Sequence, residues 1–171
     1  MNKYAKGDQL VYGMHGVCSI VEIEKRTVDR KTVEYYVLEP NEQPGTRFYV
    51  PLHNEAAVAK LRPVLSANEL NTLLRSQEAD KDLWIADENQ RKQCYRELIV
   101  SGDRHALISM VRTLHKHKQA QLAAGRKFHL CDETFLRDAE KLLNSEFSVI
   151  LNIAQNQVGD YVQSILEKEK N

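Results

Sequence analysis

The chain has 171 residues, 42% of them hydrophobic and 28% charged, the size and texture of one medium globular domain or two small ones. Lys plus Arg (24) equals Asp plus Glu (24), so the formal net charge is zero and no whole-molecule field favours a polyanion. Binding to one would need a local patch. Cys18, Cys94 and Cys131 are widely spaced with no Cys-x-x-Cys, the start carries no apolar export signal, and no stretch is long enough to span a bilayer. We therefore expect reduced thiols in a cytoplasmic protein.

From residue 9 to 64 the texture is that of strands. Gln9-Leu10-Val11-Tyr12 is a short strand, and Gly13-Met14-His15-Gly16 is a turn whose glycines suit positive φ. Residues 17–26 alternate, with Val17, Ser19, Val21 and Ile23 on one side and Cys18, Ile20, Glu22 and Glu24 on the other. Asp29-Arg30-Lys31 makes a hairpin tip, and residues 33–38 carry the β-branched and aromatic side chains of a central strand. Residues 46–50 form another strand, ended by Pro51, and Leu61-Arg62-Pro63-Val64 closes the sheet. Short strands at this spacing predict a small β-barrel of SH3 or Tudor type.

After residue 64 the pattern turns helical, so the expected class is α+β: a barrel domain over 1–64 and an all-α bundle over 65–171. Ser66 and Glu69 form a capping box for a helix with Leu70, Leu73 and Leu74 on its apolar side. A polar connector over 77–82 leads to a second helix, predicted for 83–100. Ser101-Gly102-Asp103 stops it and caps a third, which runs to about Ala124 before Gly125. A fourth begins near Asp132, with Phe135, Leu136, Ala139, Leu142, Leu143 and Phe147 at helical spacing. Gly159 is expected to break it from a last helix holding Tyr161, Val162, Ile165 and Leu166.

The third helix carries the main electrostatic signal. Between Arg104 and Cys131 there is no acidic residue, while Arg104, Arg112, Lys116, Lys118, Arg126 and Lys127 are basic. At 100° per residue, Leu107, Val111 and Leu114 face a core, and His105, Arg112 and Lys116 project elsewhere, with Lys118 snorkelling. Such a face suits a phosphate backbone, or is an ordinary solvated helix face. Trp84, the only tryptophan, admits two readings as well. It shares a helical face with Arg91, Tyr95 and Leu98, as a core residue would, yet at the start of its helix it would overhang, as an exposed binding indole would.

Nearly the whole chain resembles the CarD/CdnL family of bacterial transcription regulators. Tyr4-Ala5-Lys6-Gly7-Asp8-Gln9-Leu10-Val11-Tyr12 with His15-Gly16-Val17, then Glu34-Tyr35-Tyr36-Val37-Leu38, Val50-Pro51 and Leu61-Arg62-Pro63-Val64 carry the first half of the likeness. Trp84, Tyr95, Ser101-Gly102-Asp103 and Leu142-Leu143-Asn144-Ser145-Glu146 carry the second. The first half is also similar to the polymerase-interacting domain of transcription-repair coupling factors. The resemblance implies a Tudor-like domain that holds the RNA polymerase β subunit through Arg26, Arg47 and Tyr49. It implies a helical domain that contacts promoter DNA, without strong sequence preference, at the upstream edge of the melted region. There Trp84 would wedge into the minor groove and stabilise the open complex. Arg91, Arg104, Arg112, Lys116, Arg126 and Lys127 would contact the duplex, and the protein would sit on the nucleoid. Some members place the tryptophan one helical turn later, where this chain has Glu88.

No enzyme is expected. The chain has no Gly-rich phosphate loop, no Gly-x-Ser-x-Gly and no His-Glu-x-x-His. His115 and His117 diverge on a helix, and His129 and Cys131 do not complete a zinc spacing, so neither a metal nor a cofactor or small-molecule ligand is expected. The competing class is a protein-only adaptor with Trp84 as its docking anchor.

Overall fold

The computed structural model describes residues 1–167; residues 168–171 and the side chain of Leu166, named above for the last helix, lie outside the described residues. The chain divides into two compact units, 1–64 and from Leu65 onward. The class is α+β, a Tudor-like antiparallel sheet followed by helices.

In the first unit β1 (Gln9–Tyr12), β2 (Val17–Val28), β3 (Lys31–Pro40), β4 (Phe48–Pro51) and β5 (Leu61–Pro63) pair antiparallel in the order β4-β3-β2-β1-β5. A short helix, α1 (Glu55–Val58), separates the last two strands and is capped by the Asn54 side chain. Gly13 and Gly16 take φ of 48° and 73° around a 3₁₀ turn, which lets β1 reverse into β2. Val28 pairs with Lys31, so Asp29 and Arg30 alone make the β2–β3 turn, with φ of 49° and 62°. Positive φ at both positions is the type I′ geometry that matches strand twist. β4 is an edge strand, which is where Pro51 can sit without breaking a ladder. It begins at Phe48 rather than at residue 46 as the sequence suggested.

The expected alternation along β2 holds only as far as Ile20. Ile20 pairs with Leu38 but Glu22 with Val37, so Val21 is an extra residue in a β-bulge. Cys18 and Ile20 face the core with Leu10, Tyr36, Leu38, Val50 and Leu61; beyond the bulge it is Ile23 that packs against them. A regular strand would have turned Glu22 and Glu24 inward after Ile20. The bulge flips the parity and leaves those carboxylates outside, avoiding the cost of burying unpaired charge. Burial also pushes the Cys18 thiol up to about 11, and all three cysteines are free.

The second unit contains α2 (Ala67–Arg75), α3 (Glu88–Ser101), α4 (Arg104–Ala123), α5 (Leu130–Leu151) and α6 (Val158–Glu167). The Ser66/Glu69 capping box is present, and Ser66 accepts from the Glu69 N–H at 3.2 Å while Glu69 accepts from the Ser66 N–H at 2.8 Å. Gly102 ends α3 in the left-handed region, and Asp103 accepts from the Ala106 N–H to start α4. Two boundaries depart from the sequence-based reading. Asn152, at φ 52°, ends α5, and Gly159 lies inside α6. Asp87 caps α3, so the helix starts at Glu88 rather than at Leu83. The core gathers the apolar stripes of all five helices, among them Leu70, Leu74, Tyr95, Met110, Leu114 and Phe147. Truncating one such side chain, Leu114→Ala for instance, costs about 2–5 kcal/mol.

Candidate functional site

The sheet presents a small exposed cluster. Arg26 lies on β2, its guanidinium carbon 3.9 Å from the centroid of the Tyr49 ring on the β4 edge strand, and Tyr35 meets Tyr49 edge-on at 6.4 Å. Arg26 also makes a two-pronged contact with Glu24 on its own strand, at 2.9 and 3.3 Å, which holds the guanidinium pKa above its ordinary value. The planar cation is thus pre-set on an aromatic face without being buried. Arg47 is exposed one residue before β4, on the same side of the chain as Tyr49 by strand alternation. The sheet residues therefore form one group, with Arg47 at its margin.

The helical unit is built differently. Residues 81–87 form no helix; they run as a strap into the Asp87 cap. Trp84 lies in that strap, so the four-residue step from it to Glu88 is not a helical turn, and the two positions do not share a helix face. The strap is tied to α4 and α3. Ser109 Oγ accepts from the Lys81 N–H at 3.3 Å, Thr113 Oγ1 accepts from the Leu83 N–H at 2.9 Å, and the Tyr95 hydroxyl donates to the Leu83 carbonyl at 3.2 Å. The Asp82 carboxylate accepts from the Trp84 N–H at 3.0 Å. The indole is half-buried, packed against the edge of the core. Its ring stacks on the His117 imidazole with centroids 3.4 Å apart and planes 16° apart, and the Arg91 guanidinium carbon is 4.2 Å from its centroid. Trp84 is neither a sealed core residue nor an overhanging one.

Three of the expected phosphate contacts are committed elsewhere. Arg91 is buried and meets both oxygens of buried Asp132, at 2.9 and 3.0 Å, while donating to the Ile85 carbonyl at 2.7 Å. Arg104 is held by the buried Glu146 carboxylate at 2.6–3.0 Å. Arg112 donates to the carbonyls of Leu74 and Ala79, at 2.7 and 2.8 Å, with Asp80 nearby. A guanidinium whose hydrogens are already taken up by the fold is a poor phosphate ligand. The acid-free run is also less free than it reads, because α5 supplies the carboxylates. Arg104 pairs with Glu146, His115 with Glu140 and Lys118 with Glu133, in descending order as two antiparallel helices require. Lys116, Arg126 and Lys127 remain exposed and, among the described residues, form no ion pair. They surround the indole's support in sequence. Lys116 precedes His117, and the Arg126 N–H bonds the carbonyl of Gln121, whose side chain lies 3.4 Å from His117.

The residues that sequence reasoning missed are the supports: Ser109, Thr113, His117 and Gln121 on α4, and Asp132 on α5. The first four recur every fourth position, a polar stripe where a helix between others should be apolar, and that was the available signal. Among the described residues no group of three or more His, Cys, Asp or Glu is placed to hold a metal ion, and no helix is long and apolar enough to cross a membrane.

Two family models match the chain, one unit each. The CarD-like/TRCF RID domain covers residues 4–65, and the CarD C-terminal domain covers residues 69–163. With both units accounted for, the chain belongs to the CarD family, whose members are RNA polymerase-interacting transcription factors and not enzymes.

Proposed function

We propose that the chain binds the RNA polymerase β subunit through the Arg26–Tyr49 face and stabilises the promoter open complex through Trp84. Arg26 and Arg47 supply charge, Tyr49 supplies apolar area, and the free edge of β4 offers backbone groups for strand addition. On the helical unit Trp84 meets the minor groove at the edge of the melted DNA, with Lys116, Arg126 and Lys127 on adjacent phosphates. The observation that carries this reading is a single half-buried indole held on a pinned strap and stacked on His117, whose chain neighbour Lys116 is exposed and forms no ion pair among the described residues. With zero net charge the chain alone would grip DNA weakly; docking on polymerase raises its local concentration and makes weak contacts sufficient.

A second reading has its own support. Because α5 carboxylates pair two of the α4 cations, Arg104 and Lys118, the helical unit also suits a protein partner with Trp84 as the anchor. Open-complex lifetime separates the two. Under the DNA reading Trp84→Ala shortens it several-fold while polymerase capture stays intact. Equal lifetimes with capture retained select the adaptor. Arg26→Glu is expected to weaken capture with the fold unchanged, and undiminished capture would discard the sheet assignment.

A further inference from the structure

The strap that carries Trp84 is matched to one stripe of α4. Ser109, Thr113 and His117 follow at four-residue intervals and so stand above one another on the helix. They receive, in the same order, the Lys81 N–H, the Leu83 N–H and the Trp84 ring. Ser109 and Thr113 are buried, and their hydroxyls are satisfied by the strap and the residues leading into it: Ser109 donates to the Glu78 carbonyl at 3.1 Å. Sliding the strap by one residue would leave those buried hydroxyls and the strap N–H groups mismatched, so the backbone register of residues 81–83 is fixed. The register decides which strap residue meets the next position of the stripe, and it is Trp84.

At that position an aliphatic side chain would cover the indole only in part, while an aromatic ring covers a whole face. His117 lies nearly parallel to the indole and is itself steadied by the Gln121 amide at 3.4 Å. Arg91 of α3 also contacts the indole, its guanidinium carbon 4.2 Å from the ring centroid, while Asp132 holds that guanidinium at two points. Each of these two neighbours of the ring is therefore anchored by a further residue. A side chain meant only to fill space needs no such added support. One meant to insert at a base step does, because freezing an otherwise mobile indole on binding would cost affinity.

We propose that His117 is a positioning residue for Trp84: its imidazole stacks on the indole and fixes the angle at which the remaining edge is offered to DNA. The inference rests on the reading of Trp84 as the DNA-contacting wedge. Arg91 belongs to the same device, as a support for the ring.

Trp84 is the sole tryptophan, so intrinsic fluorescence reports on it alone. In the full-length protein, His117→Ala is expected to shift the emission to longer wavelength and to raise quenching by acrylamide. The same substitution should shorten the open-complex lifetime by roughly three- to tenfold, as expected when one ordered side chain must be immobilised on binding, with polymerase capture unchanged. His117→Phe keeps a flat ring without the imidazole nitrogens and should restore both emission and lifetime. A melting curve for each variant separates loss of the stack from loss of the fold. If His117→Ala melts early, the comparison passes to Thr113→Val against His117→Phe, and only the first should move the emission. The proposal is overturned if His117→Ala leaves emission and lifetime as they were, or if His117→Phe fails to restore lifetime. Should Trp84→Ala itself leave the lifetime untouched, the wedge reading falls, while emission and quenching still decide whether His117 holds the ring.

Discussion

Arg26 in the sheet and Arg91 in the helical unit both sit against an aromatic ring and both meet a carboxylate, yet they are opposite kinds of arginine. Arg26 finds its carboxylate two residues away on the same strand, and its side chain is 43% exposed. Arg91 finds its carboxylate 41 residues away on another helix, and the two side chains are 4% and 1% exposed. The first pair could form in the isolated hairpin and leaves the cation open to a partner. The second exists only once α3 and α5 have packed, and it turns the cation into part of the architecture. Charge in a sequence is available for binding only after the fold has taken what it needs.

The strongest way to break this contrast is to remove each guanidinium. Arg91→Ala leaves Asp132 charged, buried and unpaired, and should cost about 3–5 kcal/mol in urea unfolding of the helical unit. Replacing both partners, Arg91→Met with Asp132→Leu, should recover most of that stability, because the pair's attraction mainly offsets its own desolvation. The indole emission would still shift, since its neighbour is gone. Arg26→Ala, exposed and locally paired, should leave the melting temperature of the sheet unchanged. A loss under about 1 kcal/mol for Arg91→Ala would mean that Asp132 reaches water or another partner, and the distinction would collapse.

Much of the framework could be read in advance wherever the determinant is local. Ser66 with Glu69, Gly102 followed by Asp103, and the β-branched run of β3 each carry their physics within a few residues, and the structure follows them. Val21 shows where this stops: nothing near it announces a bulge, and the parity change follows from Glu22 having to stay out of a core made by residues 10 to 61. The strap is a second case. Residues 83–87 carry helical spacing relative to Tyr95 and Leu98, but hydrogen bonds to Ser109 and Thr113 hold residues 81–83 out of the helix, and Asp87 supplies the cap that starts it later. The α4 charges are the third. An acid-free run looks like a polyanion site until its acids are found on the antiparallel neighbour, from Glu133 to Glu146. The site was legible as a tryptophan near basic residues, and illegible in which of those residues are free.

That sorting can be sharpened by salt titration of DNA binding in the polymerase-bound complex. Deleting a cation that touches a phosphate should flatten the slope of log affinity against log salt by roughly 0.9. Lys116→Ala, Arg126→Ala and Lys127→Ala should each do so, lowering affinity by a similar factor on unrelated promoter sequences. Arg112→Ala should instead lower stability, by about 1–3 kcal/mol, through the carbonyls of Leu74 and Ala79 left without a donor, and should leave the slope alone. A slope that moves with Arg112 and not with Lys116 would reverse the assignment of free and committed cations on α4.

The smallest expected effect lies at the tip of the β2–β3 hairpin, and it tests whether the sheet's candidate face depends on register alone. Arg30 holds φ of 62° in a turn that has no glycine, and the backbone strain of a left-handed L-residue is roughly 1–2 kcal/mol. Arg30→Gly removes that strain but returns about 0.4–1 kcal/mol to the unfolded chain as entropy, so the net gain should be near 0.5 kcal/mol. Register would be preserved, since Val28 still faces Lys31 across two residues and Arg26 still faces Val33. Polymerase capture should therefore be unchanged by Arg30→Gly. Inserting one glycine after Arg30 is the sharper partner experiment. If the inserted residue slips the pairing by one, every side chain of the shifted strand turns to the other face. Arg26 would then lose its place on Tyr49, and capture should fall even though no side chain of the candidate face has been altered. Capture that survives the insertion would mean that the backbone edge of β4, rather than the Arg26–Tyr49 pair, does the holding.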